Sequence, residues 1–409
     1  MDTNQMEKTS SARAWLCATI IIISGFLFGM MLKKIAGTML LIMPALGVGS
    51  SAGGALVSAI TIVSMIIAIP IGGIIVRFGA RKVILLAFAF GIIGNVAGAL
   101  SVNYPMLYAS RVIEGAGFGI FIPAGPSLLT SFFPPEKRGL PMGIWSTNVG
   151  AGAFLVLVFT NLVCDFDDPA TWANMWWFIA ALMAVFAVLF FVFVKPPQQA
   201  QAPAGGDKPK VSVVEGFKSL PMWLLVLSFI GYTFGFIALT TFMPTYLNAV
   251  LGIDAATANV YTSVLTAAMI VGGFIAGFVL KRTKREMKPW LYVIFMVLSG
   301  VAISLSFVYG ANMVIVFSVV GGIVMQFVPA ILFNNAPDTA KSPLYVGAAM
   351  ALISLCQNFG GFLSGNISGM IIENYGWMAM TYALVIASVV AVVLSILYAR
   401  SMKGKLQEK

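Results

Sequence analysis

The 409-residue chain contains no histidine, and only 9% of its residues are charged, against about a quarter in an ordinary soluble domain. The missing imidazole removes the side chain that titrates most readily near neutrality, so any proton carried by side chains must travel on a carboxylate. Cysteine is scarce as well. Cys17, Cys164 and Cys356 stand far apart without ligand spacing, which argues against a disulfide framework or a metal site. The glycine-dense runs "GAGFG" and "GGFIAG" lack the strand and lysine of a phosphate-binding loop, so nothing points to ATP hydrolysis. No cofactor is implied, and without a soluble catalytic domain an enzyme is not expected.

Hydrophobic sequence fills the chain instead: 60% of residues are hydrophobic, and the mean hydropathy is +0.97. Apolar runs of roughly 20 residues recur from Trp15 to Tyr398, each long enough for a helix to cross about 30 Å of hydrocarbon. Twelve spans are read, at approximately 14–43, 52–75, 83–102, 105–129, 140–163, 173–194, 221–247, 257–280, 289–309, 312–334, 343–372 and 375–399. The expected class is therefore an all-α integral membrane protein. Its polar N-terminus leads into a long first span rather than a short cleavable apolar core, so that span is expected to be retained.

The net charge of +10 raises the question of a nucleic-acid partner, but the placement of the charges answers it differently. With the N-terminus cytoplasmic, all but three of the 24 lysines and arginines fall in inner segments, among them Arg77, Arg81, Lys82 and the run Lys281–Lys288. The outer loops carry acids such as Asp165, Asp254 and Glu373. This is the positive-inside pattern of a multi-pass protein with both termini cytoplasmic, as in a cell (inner) membrane. The bilayer, and no nucleic acid, is the expected surrounding partner, and a monomer is the expected state.

The longest polar interruption is "KPPQQAQAPAGGDKPKVSVVEGFKS", with the proline, glutamine and lysine content of a linker. It separates an N-terminal bundle at 1–194 from a C-terminal bundle at 220–409, with the cytoplasmic linker at 195–219. Across it "IMPAL" answers "FMPTYL" and "GGIIVRFGARK" answers "GGFIAGFVLKRTK", each offset by 200 residues, while "TNVGAG" answers "QNFGGF" at 210. Two related six-helix bundles follow, a construction that in secondary transporters puts the substrate near the midplane between repeats.

These features resemble the major facilitator superfamily. In "GGIIVRFGARKVIL", Gly72, Arg77, Gly79 and Arg81 or Lys82 fit that superfamily's cytoplasmic gate signature between helices 2 and 3, although Val76 stands at its acidic position. "RVIEGAGFGIFIPAG" resembles its fourth-helix pattern through Arg111, Gly115 and Gly117. The resemblance implies twelve helices in two pseudo-symmetric bundles. Within the superfamily the chain looks most like organic-anion carriers of the anion:cation symporter type, with Lys34 of "LKKIAGTML" in the place of their first-helix arginine. Those carriers have a glutamate seven residues beyond the fourth-helix arginine. Here that position is Phe118, and the nearby acid is Glu114. "SFFPPEKRGLPMGIWSTNVGAG" is similar to the family's entry into helix 5 and brings Asn148 to a polar site position; "LCQNFGGFLSGNISG" is similar to its eleventh helix through Asn358 and Gly360.

The stretch "GMMLKKIAGTMLL" sets two adjacent lysines in an apolar run, where each costs roughly 3 kcal/mol on insertion scales. Either the first span ends near Gly29 and both snorkel outward, or the span continues toward Pro44 and they serve a cavity. The second reading keeps the outer surface free of lysine and arginine, with Lys34 the leading contact and Lys33, about 100° around the helix, aimed elsewhere. Arg111 and Glu114, three apart, meet on one helical face. They form either a structural ion pair or a pair in which Glu114 changes partner or protonation as the coupling group. The balance of Lys33, Lys34 and Arg111 against Glu114 favours an anionic substrate, most simply a carboxylate. Further candidates for substrate contact are Trp145, Asn148, Tyr232, Thr233, Gln326, Gln357 and Asn358, for which bonds across helices are an equal alternative.

The expected function is thus secondary transport of a small organic anion by alternating access, proton-coupled or by exchange for a counter-anion. Two other transport readings stay open: multidrug or metabolite efflux, for which Lys34 would matter little, and inorganic-anion transport of the nitrate kind, for which Asn148 with Gly150 and Asn358 with Gly360 give a symmetric cue.

Overall fold

In hydrocarbon every backbone N–H and C=O must be paired within the protein, and a continuous helix does this without help from neighbours. A computed structural model describes residues 3–133, 137, 139–195, 219–339 and 346–403; among them the secondary structure is helical, with no strand. We number the α-helices α1 Thr3–Leu46, α2 Ser50–Phe78, α3 Ala80–Ala99, α4 Tyr104–Leu129, α5 Gly139–Trp145, α6 Asn148–Val163, α7 Trp172–Phe193, α8 Leu220–Ala249, α9 Ala255–Arg282, α10 Lys288–Leu305, α11 Val314–Thr339 and α12 Val346–Met402. Of the linker expected at 195–219, residues 196–218 lie outside the described residues.

Ten helical segments among the described residues are long and apolar enough to span a membrane, and Asn148–Val163 is a shorter apolar helix. Two departures from the twelve separate runs account for the difference. The fifth expected span is divided into α5 and α6 at Ser146 and Thr147, whose hydroxyls donate back to the carbonyls of Gly143 and Ile144, each at 2.7 Å. Thr147, at φ −86° and ψ 0°, has left the helical path there. The last two expected spans are joined in α12, where Gly376, at φ 79° and ψ 179°, breaks the helical path between two long arms. Only glycine takes that conformation without steric cost.

The chain divides into two compact units, one of Met1–Lys34 with Ile62–Gly206 and one of Ile35–Thr61 with Asp207–Lys409. The core of the first is aromatic. Phe28 of α1 stacks on Phe121 of α4 at 4.0 Å, and Phe88 of α3 lies 5.5 Å from Phe28 and 5.8 Å from Phe190 of α7. The second unit has an aromatic knot of its own, with Tyr246 of α8 5.3 Å from Phe307 and 5.2 Å from Trp377.

The start of α2 belongs to the second unit and lies directly on α12. Gly54 and Gly365 face each other so closely that a Cβ on either would strike the other's carbonyl, and Gly369 sits against the carbonyl of Ser50. Small residues permit this backbone approach, which in a membrane supplies the packing that hydrophobic burial cannot. Two hydrogen bonds run along the seam: Ser58 Oγ donates to the carbonyl of Phe362, and the Ser51 amide donates to Glu373 Oε2, both at 2.7 Å.

Candidate functional site

Lys34 lies twelve residues before the end of α1, or roughly 18 Å of helix. Its side chain is fully buried, and Lys33 beside it is 5% exposed. The Lys34 ammonium donates to Asn95 Oδ1 of α3 at 2.6 Å and to Glu114 Oε1 of α4 at 2.7 Å. It also lies 4.0 Å from the ring centroid of Trp176 on α7, well inside cation–π range. Four helices therefore converge on one ammonium.

Glu114 is shared. Arg111 Nη1 donates to its other oxygen, Oε2, at 2.5 Å, across the three-residue spacing that puts both side chains on one face of α4. Arg111 also donates to the carbonyls of Met31 and Leu32, at 2.8 and 3.2 Å, and so ties α4 to the middle of α1. Lys34, Arg111 and Glu114 are all fully buried. At low effective dielectric such charges are sustained only by mutual pairing and full hydrogen bonding.

Small residues make room for the cluster. On α3, Gly94 lies against the Cγ of Glu114, Gly98 against the Trp176 indole, and Gly91 against Met183. Asn95, fully buried, stands between them and donates through Nδ2 to the carbonyl of Gly91 at 2.8 Å. Neither Asn95 nor Trp176 stood out in the sequence. The glycines at 91, 94 and 98 around a polar residue mark a close-packed helix face, and that is the signal that could have found Asn95.

The other candidates fall in two groups. In the first unit, Trp145 ends α5 and Asn148 begins α6; they are 6% and 7% exposed. The Trp145 ring fills space beside Gly25 and Gly125 and lies 5.6 Å from Phe121. In the second unit, the buried Tyr232 donates its hydroxyl to the carbonyl of Met325 at 2.8 Å and stacks in parallel with Phe229 and Phe236. Thr233 returns its hydroxyl to the carbonyls of Phe229 and Ile230 and packs on Gly360. Gln326 is half-buried beside Gly273, Gln357 is half-buried, and Asn358 donates to the carbonyl of Ser354.

The gate-like motif makes the turn between α2 and α3. Gly72, Arg77, Gly79 and Lys82 are exposed, with Gly79 at φ 83° in the turn itself. Arg81 donates to the carbonyl of Phe191 at 2.7 Å, which fastens the turn to the end of α7. No group of three or more potential metal ligands gathers among the described residues.

Comparison with known proteins places this architecture. The nitrite extrusion protein of Bacillus subtilis (strain 168) is 27% identical over 347 residues, covering 80% of each chain. A probable small intestine urate exporter of Mus musculus is 21% identical over 378 residues, covering 85% of this chain and 76% of that one. The mouse sodium-dependent phosphate transport protein 1 is 22% identical over 339 residues, or 76% and 71% of the two chains. Among solved structures, a bacterial homolog of the human lysosomal transporter Spinster, in an inward-facing and occupied conformation, has a TM-score of 0.76 at 17% identity. That match covers 95% of this chain and 96% of the other. The Major Facilitator Superfamily pattern itself extends over residues 21–362, and the chain belongs to that superfamily: it is a multi-pass membrane transporter, not an enzyme.

Proposed function

We propose that the protein moves a small anion across the cell membrane by alternating access between two six-helix halves, 1–194 and 220–409, with both termini cytoplasmic. The observation that carries this reading is the set of charged side chains buried among the described residues. It consists of Lys33, Lys34, Arg111 and Glu114, three basic groups against one acid. A cationic excess held away from water favours an anion and disfavours a lipophilic cation. The relatives named for nitrite, urate and phosphate transport support the same class of substrate.

Glu114 is the coupling residue in this reading. Protonating it would raise the buried positive excess by one charge, so proton uptake and anion loading would favour one another. A carboxylate is the first expected substrate. An inorganic oxyanion is the second reading, favoured by the nitrite extrusion relative and by the Asn148 and Asn358 that recur at corresponding places of the sequence repeat.

The test is flux into proteoliposomes holding the purified full-length protein, with labelled monocarboxylates, nitrite and a lipophilic cation offered separately. Anion movement is expected, and in Glu114→Gln exchange persists while accumulation driven by a proton gradient is lost. Movement of the lipophilic cation alone would overturn the anion reading. Unchanged uphill uptake in Glu114→Gln would remove Glu114 from coupling.

A further inference from the structure

Among the groups around the Lys34 ammonium are three of different chemical kinds: a carboxylate oxygen, an amide oxygen and an indole face, contributed by α4, α3 and α7. Each is held by contacts that do not involve Lys34. Glu114 is fixed through Oε2 by Arg111, which is itself bound to the carbonyls of Met31 and Leu32. The Asn95 amide is oriented by its bond to Gly91, which turns Oδ1 toward the ammonium. The Trp176 ring packs edge-to-face on Trp172 at 5.0 Å and is backed by Gly98. Shortening Lys34 would leave these three ligands standing around a space of ammonium size.

We infer that Asn95, Glu114 and Trp176 form a binding site for a small monovalent ammonium-type cation, which the chain fills with its own lysine. Carboxylate, amide oxygen and aromatic face are the three kinds of group that recognise a desolvated ammonium. The inference rests on the anion reading above and sharpens it. A transporter that carries its counter-cation on α1 has no need of sodium or potassium to offset the charge of its substrate at this position. Anion movement should then be indifferent to the alkali cation present.

The experiment uses purified full-length Lys34→Ala and wild type, followed by thermal unfolding in methylammonium, ammonium, sodium, potassium and choline chlorides at equal ionic strength. Methylammonium reproduces the end of the lysine side chain, whereas choline is too large for the space. Methylammonium should raise the unfolding temperature of Lys34→Ala saturably, by about 1–3 °C near ten times its Kd, and leave wild type unmoved. The rise should vanish in Lys34→Ala/Glu114→Gln. A folded Lys34→Ala that treats methylammonium and choline alike overturns the inference, with the anion reading untouched because no anion transport is measured. If Lys34→Ala does not fold, wild type decides: a saturable stabilisation by sodium or potassium overturns the inference, and indifference to both supports it.

Discussion

The two units solve the same problem, packing long helices in lipid, by different means. The first buries Lys33, Lys34, Arg111 and Glu114 among its helices. The second is the larger, yet its buried polar side chains among the described residues are hydroxyls and amides such as Ser58, Thr233, Asn259 and Ser364. Its helices meet through glycine contacts and single hydrogen bonds, as between α2 and α12. A seam whose carboxylate, Glu373, is exposed costs little and can separate and re-form, whereas a buried charge cluster is expensive to build and more expensive to disturb. In the proposed function that asymmetry makes charge recognition one-sided.

The contrast breaks most visibly at Glu114. Glu114→Ala strips the buried Lys34 and Arg111 of the carboxylate they share, and loss of one partner from a buried pair costs about 3–5 kcal/mol. A lowered unfolding temperature and poor recovery of monodisperse protein are expected. The triple replacement Lys34→Met, Arg111→Met and Glu114→Met removes the charges together and should regain most of that stability while abolishing anion transport. A single Glu114→Ala within about 1 kcal/mol of wild type would show that the buried charges do not depend on one another.

Much of this architecture is legible in the sequence, because apolar run length is a local property and each run maps onto helix. The breaks are less so. Ser146 and Thr147 interrupt one apolar run without a proline or glycine between them, and Gly376 sits in "ENYGWMAM" with no signal separating it from the many glycines that are helical. At the site, the i,i+3 spacing of Arg111 and Glu114 is visible in the string. The partnership of Lys34 with Asn95 is not, since it joins residues 61 apart and depends on how α1 and α3 rotate about their axes. Trp176 is one of eight tryptophans, and only the packing of α7 brings it beside Lys34. Side-chain convergence across helices is set by packing, which one sequence encodes without displaying.

The seam of the second unit gives an intermediate effect. Gly365→Leu adds a side chain where even a Cβ meets the carbonyl of Gly54, and a backbone atom cannot turn aside as a flexible side chain can. Overpacking of this kind costs typically about 1–3 kcal/mol. The variant should remain folded, because no charge is stranded, and should show a changed reactivity of single cysteines placed along 50–58 toward a water-soluble thiol reagent. Unfolding as complete as that of Glu114→Ala would erase the distinction between the two units.

The smallest effect lies where the second unit does carry an ion pair, at its surface. Arg285, in the turn between α9 and α10, pairs with Asp338 near the end of α11, and both are partly exposed at 48% and 20%. An arginine stays charged throughout the working pH range, and this guanidinium donates to the Asp338 carboxylate through Nε and Nη2. Solvent screens this pair, and exposed pairs are worth about 0–1 kcal/mol. Arg285→Ala should lower the unfolding temperature by no more than about 1–2 °C, and the difference should shrink further in 0.5 M salt as the Debye length contracts to about 4 Å. A loss comparable to that at Glu114, insensitive to salt, would mean that the second unit also depends on charge and that the asymmetry lies only in where each unit keeps it.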